Sequence, residues 1–195
     1  MRAVVLAGGN SRRYGSNKLL ALVNGRPMFT HIIEALRQAG CFDILVVTQY
    51  TAIADFCRAE GLEFVLSEKC REGASYTVKE ALNYICSGSG SSDCVCPAVL
   101  FTAADQPFIK ADTLARFASA FESSGKGLAS FICDGKPSNP AIFTSEYFGE
   151  LLALEGDRGG RPVINKHLSD CFFMEASAEE LKDIDSIGDG YALPL

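Results

Sequence analysis

Short, unbroken hydrophobic runs alternate with amphipathic helical patterns from the first residues of the chain, and that alternation limits the fold more than any other feature. Residues 2–7 (RAVVLA), 43–48 (DILVVT), 62–66 (LEFVL) and 98–103 (AVLFTA) each read as a buried strand. Their hydrophobicity is continuous, as expected of strands covered on both faces in a parallel sheet. Between them, Met28, Ile32 and Leu36 share one helical face, as do Val78, Ala81, Leu82 and Ile85, and later Leu114, Phe117, Ala118 and Phe121. Strand–helix alternation predicts an α/β fold with a mostly parallel central sheet and right-handed crossovers. Residues 87–93 (SGSGSSD) read as a surface loop. The second half is more mixed, with candidate strands at 127–133, 140–143 and 171–174 and helices near 145–153 and 160–167. No repeat or boundary interrupts the pattern, and 195 residues fit a single domain spanning 1–195.

Composition removes several function classes. A net charge of −6 argues against a general nucleic-acid binder, although it leaves room for one basic pocket. No run approaches the roughly 18 apolar residues that span a bilayer. The opening MRAVVLAGG is too short an apolar stretch for a signal peptide, so a cytoplasmic location away from the membrane is expected. Eight cysteines raise a disulfide or metal question. In a reducing compartment disulfides are disfavoured. No CxxC pair occurs, Cys94-Val95-Cys96 is the only close pair, and His31 and His167 are the only imidazoles. These spacings do not suit a structural zinc site. Most of the cysteines sit in apolar stretches, where a thiol packs as a small hydrophobe.

The stretch richest in chemistry follows the first strand: Leu6-Ala7-Gly8-Gly9-Asn10-Ser11-Arg12-Arg13-Tyr14-Gly15-Ser16-Asn17-Lys18. Glycines let backbone N–H groups approach a ligand closely. Arg12, Arg13 and Lys18 add three positive charges without a carboxylate between them. Backbone donors plus cations are what a triphosphate requires. A Walker A loop is excluded because Ser16, not Lys, follows Gly15, and GxGxxG fails because Gly8 and Gly9 are adjacent. The plainer reading is a flexible glycine turn with solvated arginines.

LAGGNSRRYGSNKLL resembles the LAxGxSxRxGxxK signature of the MobA-like nucleotidyltransferases, which build molybdenum dinucleotide cofactors. It is especially similar to the molybdenum cofactor cytidylyltransferases, whose signature continues into NKLL and G-[KR]-P. Asn17-Lys18-Leu19-Leu20 and Gly25-Arg26-Pro27 stand in those places here. The resemblance implies a three-layer, Rossmann-like fold of the nucleotide-diphospho-sugar transferase type, a nucleoside triphosphate held by Leu6, Ala7, Gly8, Gly9, Ser11, Arg13 and Lys18, and Mg²⁺ as cofactor.

Asp105 lies just past the fourth strand, in Ala104-Asp105-Gln106-Pro107-Phe108. Loops at the carboxyl ends of parallel strands line the ligand crevice, so the glycine loop and Asp105 should emerge at one edge. Mg²⁺ is usually held by one or two carboxylates plus phosphates. In the family a D-[QM]-P-F aspartate holds the metal, which implies that role for Asp105; a turn aspartate before proline is the plainer reading. Leu181-Lys182-Asp183-Ile184-Asp185 resembles the family's DIDTPED segment and makes Asp185 a candidate second ligand, with turn or cap former as its alternative.

Three further segments concern base and acceptor. Glu72-Gly73-Ala74-Ser75-Tyr76-Thr77-Val78 resembles the family's GMSxSL and precedes a helix. Ser75 or Thr77 is expected as its N-cap, or its free N–H groups face nucleotide or acceptor phosphate, with Gly73 and Ser75 on the nucleotide and Thr77 on the acceptor. Ser138-Asn139-Pro140-Ala141-Ile142-Phe143 resembles GHPVLF, with Asn139 in place of histidine, and implies acceptor contacts from Asn139 and Pro140. Leu154 to Arg161 resembles LxGDxGAR and offers Asp157 and Arg161 to the acceptor; otherwise it is a glycine-rich helix start.

Gly8 points to GTP, since the family's cytidylyltransferases usually read LAAG, whereas NKLL, DQPF and GDxGxR point to CTP; CTP is favoured. The implied reaction is attack by the molybdenum cofactor's terminal phosphate on the α-phosphorus, with release of pyrophosphate and a molybdenum hydroxylase as a possible recipient. Lys18, Arg13 and Asp105 form the implied catalytic set. Competing readings are guanylyl transfer to the same acceptor, transfer to a sugar or alditol phosphate, a non-catalytic molybdenum cofactor carrier, and a cysteine-based redox protein.

Overall fold

The computed structural model describes residues 1–10, 17–87 and 96–184. After β1 (Arg2–Ala7), a small hairpin of β2 (Leu22–Val23) and β3 (Arg26–Pro27) leads into α1 (Met28–Ala39). Next come β4 (Asp43–Thr48), α2 (Thr51–Ala59), β5 (Glu63–Leu66), α3 (Ala74–Ser87), β6 (Ala98–Ala103) and α4 (Ala111–Ser124). The remainder holds β7 (Leu128–Cys133), β8 (Lys136–Thr144), α5 (Phe148–Leu152), α6 (Arg161–Lys166) and β9 (Cys171–Glu175).

Seven strands form one sheet in the order β5-β4-β1-β6-β8-β7-β9. β5, β4, β1 and β6 pair in parallel, as do β7 and β9; β8 is antiparallel to both β6 and β7. The sheet is therefore mostly parallel, with helices on both faces. Strand residues divide between two cores by parity. Ala3, Val5 and Ala7 of β1 pack with α1, α2 and α4, while Val4 packs with α3, α5 and α6. Side chains on a strand point alternately to the two faces. With both faces covered, every position must be apolar, which explains the unbroken runs.

Three elements differ from expectation. β8 starts at Lys136, earlier than the expected 140, because its first half pairs with β7 across a register shift at Ser130/Phe131. The buried Ser130 serves that irregularity, donating from Oγ to Ser138 O at 2.9 Å and accepting from Ser138 N at 3.2 Å. The second is α2, which the periodicity did not announce; it buries Ile53, Ala54 and Cys57. The expected 145–153 helix divides into a 3-10 turn over Ser145–Tyr147 and α5. Of the expected 87–93 loop only Ser87 is described, and it closes α3.

No helix among the described residues is long and apolar enough to cross a membrane. Cys57, Cys70 and Cys171 are buried. Burial pushes the thiols of Cys57 and Cys171 up to about 11 and about 12, so both pack in the neutral form. Cys94 lies outside the described residues.

Candidate active site

The carboxyl ends of β1, β4 and β6 meet at one rim of the sheet, where the chain leaves each strand for a loop. On the face covered by α3, these loops and the α3 N-terminus enclose a cavity of about 610 Å³. Leu6, Gly8, Gly9 and Lys18 line it from the N-terminal segment, Asp105 from beyond β6, and Gly73 and Thr77 from α3 and its approach. Asn139 of β8 and Asp157 complete the set of sequence-predicted residues brought together there.

Lys18 opens a one-turn 3-10 helix, Lys18–Leu20, whose cap is Asn17: its Oδ1 accepts from Leu19 N at 3.1 Å. Leu19, only 3% exposed, anchors that turn in the core and directs Lys18 the other way. Ala104 N donates to Leu6 O at 3.2 Å, extending the β1–β6 pairing by one residue and delivering Asp105 to the rim. Lys18 Nζ then lies 2.6 Å from Asp105 Oδ2. The cationic loop and the acidic turn thus converge, as the crossover argument requires.

The glycine segment is held by residues that sequence reading did not single out. Thr48 Oγ1 donates to Ala7 O at 3.0 Å, Gln49 Nε2 to Gly8 O at 2.6 Å, and the Tyr50 hydroxyl to Gly9 O at 2.6 Å. All three come from the end of β4 and the turn after it. Gly8 itself is fixed by close approach: a Cβ there would lie 2.5 Å from Thr77 Oγ1 and 2.7 Å from Cys70 Cβ. Burial raises the pKa of the Cys70 thiol, against the opposing Thr77 hydrogen bond, so Cys70 is a neutral wall of the cavity.

The α3 side departs from expectation. Neither Ser75 nor Thr77 is an N-cap; both are buried inside the helix. Ser75 Oγ donates to Gly156 O at 2.7 Å, and Ser75 N donates to the same oxygen at 3.2 Å. Ala74 N donates to Asp157 Oδ1 at 3.2 Å. These first-turn amides, expected to face a phosphate, are thus engaged by the turn that carries Asp157. Gly73 permits the docking: it has φ +138°, and a Cβ there would meet Gly156 O at 2.5 Å. Ala7, Ser75, Pro140 and Arg161 do not line the cavity, and Arg161 is an exposed residue at the start of α6.

Ser11, Arg13 and Asp185 lie outside the described residues. The described chain nevertheless ends against the site. Ile184 N donates to Asp105 O at 3.1 Å, and Gln106 Nε2 donates to Leu181 O at 3.0 Å. Both histidines are spent elsewhere, His31 on Val23 O and His167 on Glu150.

Glu72, Asp105 and Asp157 all line the cavity, with Asp157 engaged by Ala74 N, and a single carboxylate such as Asp105 suits a divalent cation that takes its other oxygens from a bound triphosphate. Among the described residues no cluster of three or more His, Cys, Asp or Glu side chains offers an all-protein cage. Asp105 therefore fits the first mode of binding.

A family model described as the MobA-like NTP transferase domain matches residues 3–171. The chain is 32% identical over 143 residues to the bifunctional protein GlmU of Pelotomaculum thermopropionicum, covering 72% of this chain and 29% of that relative. It is 36% identical over 66 residues to a probable molybdenum cofactor guanylyltransferase of Pyrococcus horikoshii, covering 34% of each. The matches thus span about a third of these relatives' own length. In fold it is similar to Rv0371c of Mycobacterium tuberculosis, with TM-score 0.79, 22% identity and coverage of 96% of this chain and 93% of that one.

Proposed function

This chain belongs to the MobA-like NTP transferase domain family, and on that premise we propose that it transfers a nucleoside monophosphate, CMP from CTP in preference to GMP from GTP, to the phosphate of molybdenum cofactor with release of pyrophosphate. The observation that carries the reading is the meeting of Lys18 and Asp105, 2.6 Å apart, in the wall of a glycine-loop cavity large enough for a nucleotide.

The chemistry asks little of a general base. An acceptor phosphate is already anionic, and neither histidine lines the cavity. The residues instead position and neutralise. Lys18 meets the α-phosphate, Arg13 the outer phosphates, and the glycine loop the remaining oxygens. Asp105 would hold Mg²⁺, with Asp185 as a second candidate. Bound there, the cation supplies neutralisation of phosphate charge. The similar mycobacterial protein has also been solved in complex with manganese, which supports a divalent ion at this kind of fold. Lys18 leaves Asp105 when a triphosphate arrives, exchanging one anionic partner for another.

CTP is placed ahead of GTP on the NKLL, DQPF and GDxGxR segments. Gly8, the residue that favours GTP, has a cause independent of the base, since Thr77 and Cys70 exclude a Cβ there. A second reading, guanylyl transfer to the same acceptor, is favoured by the Pyrococcus relative. Asn139 and Thr77, which line the cavity, would contact the acceptor. The test is to mix the protein with Mg²⁺, molybdenum cofactor and each of the four triphosphates in turn, and to measure pyrophosphate. CTP should give the fastest release; release with GTP alone selects the second reading. Release with none, while a sugar or alditol phosphate restores it, moves the acceptor. A molybdenum hydroxylase is the recipient this reading would propose for the product.

A further inference from the structure

Asn10, Gln49 and Arg71 close a hydrogen-bonded ring through their side chains and the Arg71 carbonyl, and the structure assigns Gln49 and Arg71 the task of aiming the glycine loop's amides at the phosphates; the assignment rests on the transferase reading above. Asn10 Nδ2 donates to Arg71 O at 2.8 Å. Arg71 Nε donates to Gln49 Oε1 at 2.8 Å. Gln49 Nε2 completes the ring by donating to Asn10 Oδ1 at 3.0 Å, and also donates to Gly8 O at 2.6 Å.

The order of these contacts is forced. A guanidinium N–H only donates, so Arg71 fixes which end of the Gln49 amide is oxygen. The Gln49 NH₂ group is then committed to Gly8 and Asn10. Because the peptide unit is planar and trans, a Gly8 carbonyl drawn toward Gln49 turns the Gly9 N–H the opposite way. The Tyr50 hydroxyl on Gly9 O does the same for the Asn10 N–H. Gly9 and Asn10 both line the cavity. Amides already aimed at an anion need no reorganisation on binding, so their fixation appears as affinity. Gln49 is only 9% exposed, so little water competes for its amide. Gln49 is accordingly a positioning residue acting through the loop, and Arg71 acts through Gln49.

The deciding variant is Gln49→Glu. It keeps the size of the side chain and its attraction to Arg71 but sets an acceptor against Gly8 O and Asn10 Oδ1. Calorimetry with Mg²⁺ and inorganic pyrophosphate should show affinity lower by about 10-fold, the order expected when a buried hydrogen bond becomes a repulsive contact. The KM for triphosphate should rise by a similar factor while kcat changes by about two-fold at most, because the amides hold ground state and transition state alike. A merely structural defect would reduce the folded fraction, lowering kcat with KM unchanged. Arg71→Ala, at an exposed position, should weaken pyrophosphate by about 3-fold, since Gln49 loses the contact that orients it. If Gln49→Glu does not unfold cooperatively, Arg71→Ala and Tyr50→Phe carry the test. Wild-type affinity in the variants that fold overturns the assignment. A wild-type protein that binds neither pyrophosphate nor any triphosphate overturns the transferase reading and this assignment with it, which is a different result from a normal wild type with indifferent variants.

Discussion

The cavity has two walls that look alike in sequence, each with glycines, a hydroxyl residue and a nearby helix start, yet the structure builds them for different tasks. On the β1 wall, Thr48, Gln49 and Tyr50 take up three consecutive carbonyls, those of Ala7, Gly8 and Gly9. On the α3 wall, Gly156 and Asp157 take up the amides of Ser75 and Ala74. Occupying carbonyls leaves donors to serve an anion; occupying amides removes them. A glycine-rich turn or a helix N-terminus is therefore an anion site only when its donors are not already engaged.

The largest effect expected from this contrast is at the joint between the β1 wall and β6. Asp105→Ala should abolish pyrophosphate release while the far-ultraviolet spectrum and unfolding midpoint stay near wild type. Unchanged turnover would discard the metal assignment. Lys18→Ala should slow turnover by about 10²-fold or more, the scale of losing one oriented electrostatic group. A loss in that variant confined to KM, with kcat intact, would recast Lys18 as a binding residue alone.

Gly8 and Gly9 give an internal control within the β1 wall. A methyl at Gly8 meets Thr77 and Cys70, whereas one at Gly9 meets nothing within 4 Å. Gly8→Ala should therefore cost about 1–3 kcal/mol in denaturant unfolding, the range for overpacking a filled site, and Gly9→Ala should leave stability unaltered. Equal stability of the two variants would show that Thr77 yields freely, and would return Gly8 to its role as a guide to the base.

These contacts also mark where sequence reading stops. β1, β4 and β6 were legible because burial on both faces makes a strand apolar without interruption. The glycine loop and Asp105 were legible because each is a contiguous motif whose chemistry is local. The first half of β8 was hidden by Lys136 and Pro137, which look like loop; its pairing is held together by Ser130 on another strand. Gln49 and Arg71 were hidden for a related reason. They act through contacts to residues 41 and 22 positions away, and nothing in the spacing of QY or CRE declares it. Asp157 was legible as part of a motif, but its partner lies 83 residues earlier, so its carboxylate could be read as an acceptor contact.

Asp157 carries the smallest effect and separates the walls most cleanly. Its Oδ1 accepts from Ala74 N, which makes it a helix cap supplied from a distant loop. Losing a cap of this kind typically costs about 1 kcal/mol, because one first-turn amide returns to water without a side-chain partner. Asp157→Ala should thus lower the unfolding free energy by about that amount, while Asp157→Asn, which keeps a carbonyl oxygen, should lose less. Pyrophosphate affinity should be untouched in both, because that ligand rests on the opposite wall. The acceptor dependence supplies the sharper reading. A rise in the KM for acceptor in Asp157→Ala, with stability unchanged, would mean that the carboxylate leaves α3 to meet substrate. A fall in stability with an unchanged acceptor KM would leave the α3 wall as scaffold, and the anion-binding work with Gly9, Asn10 and Lys18.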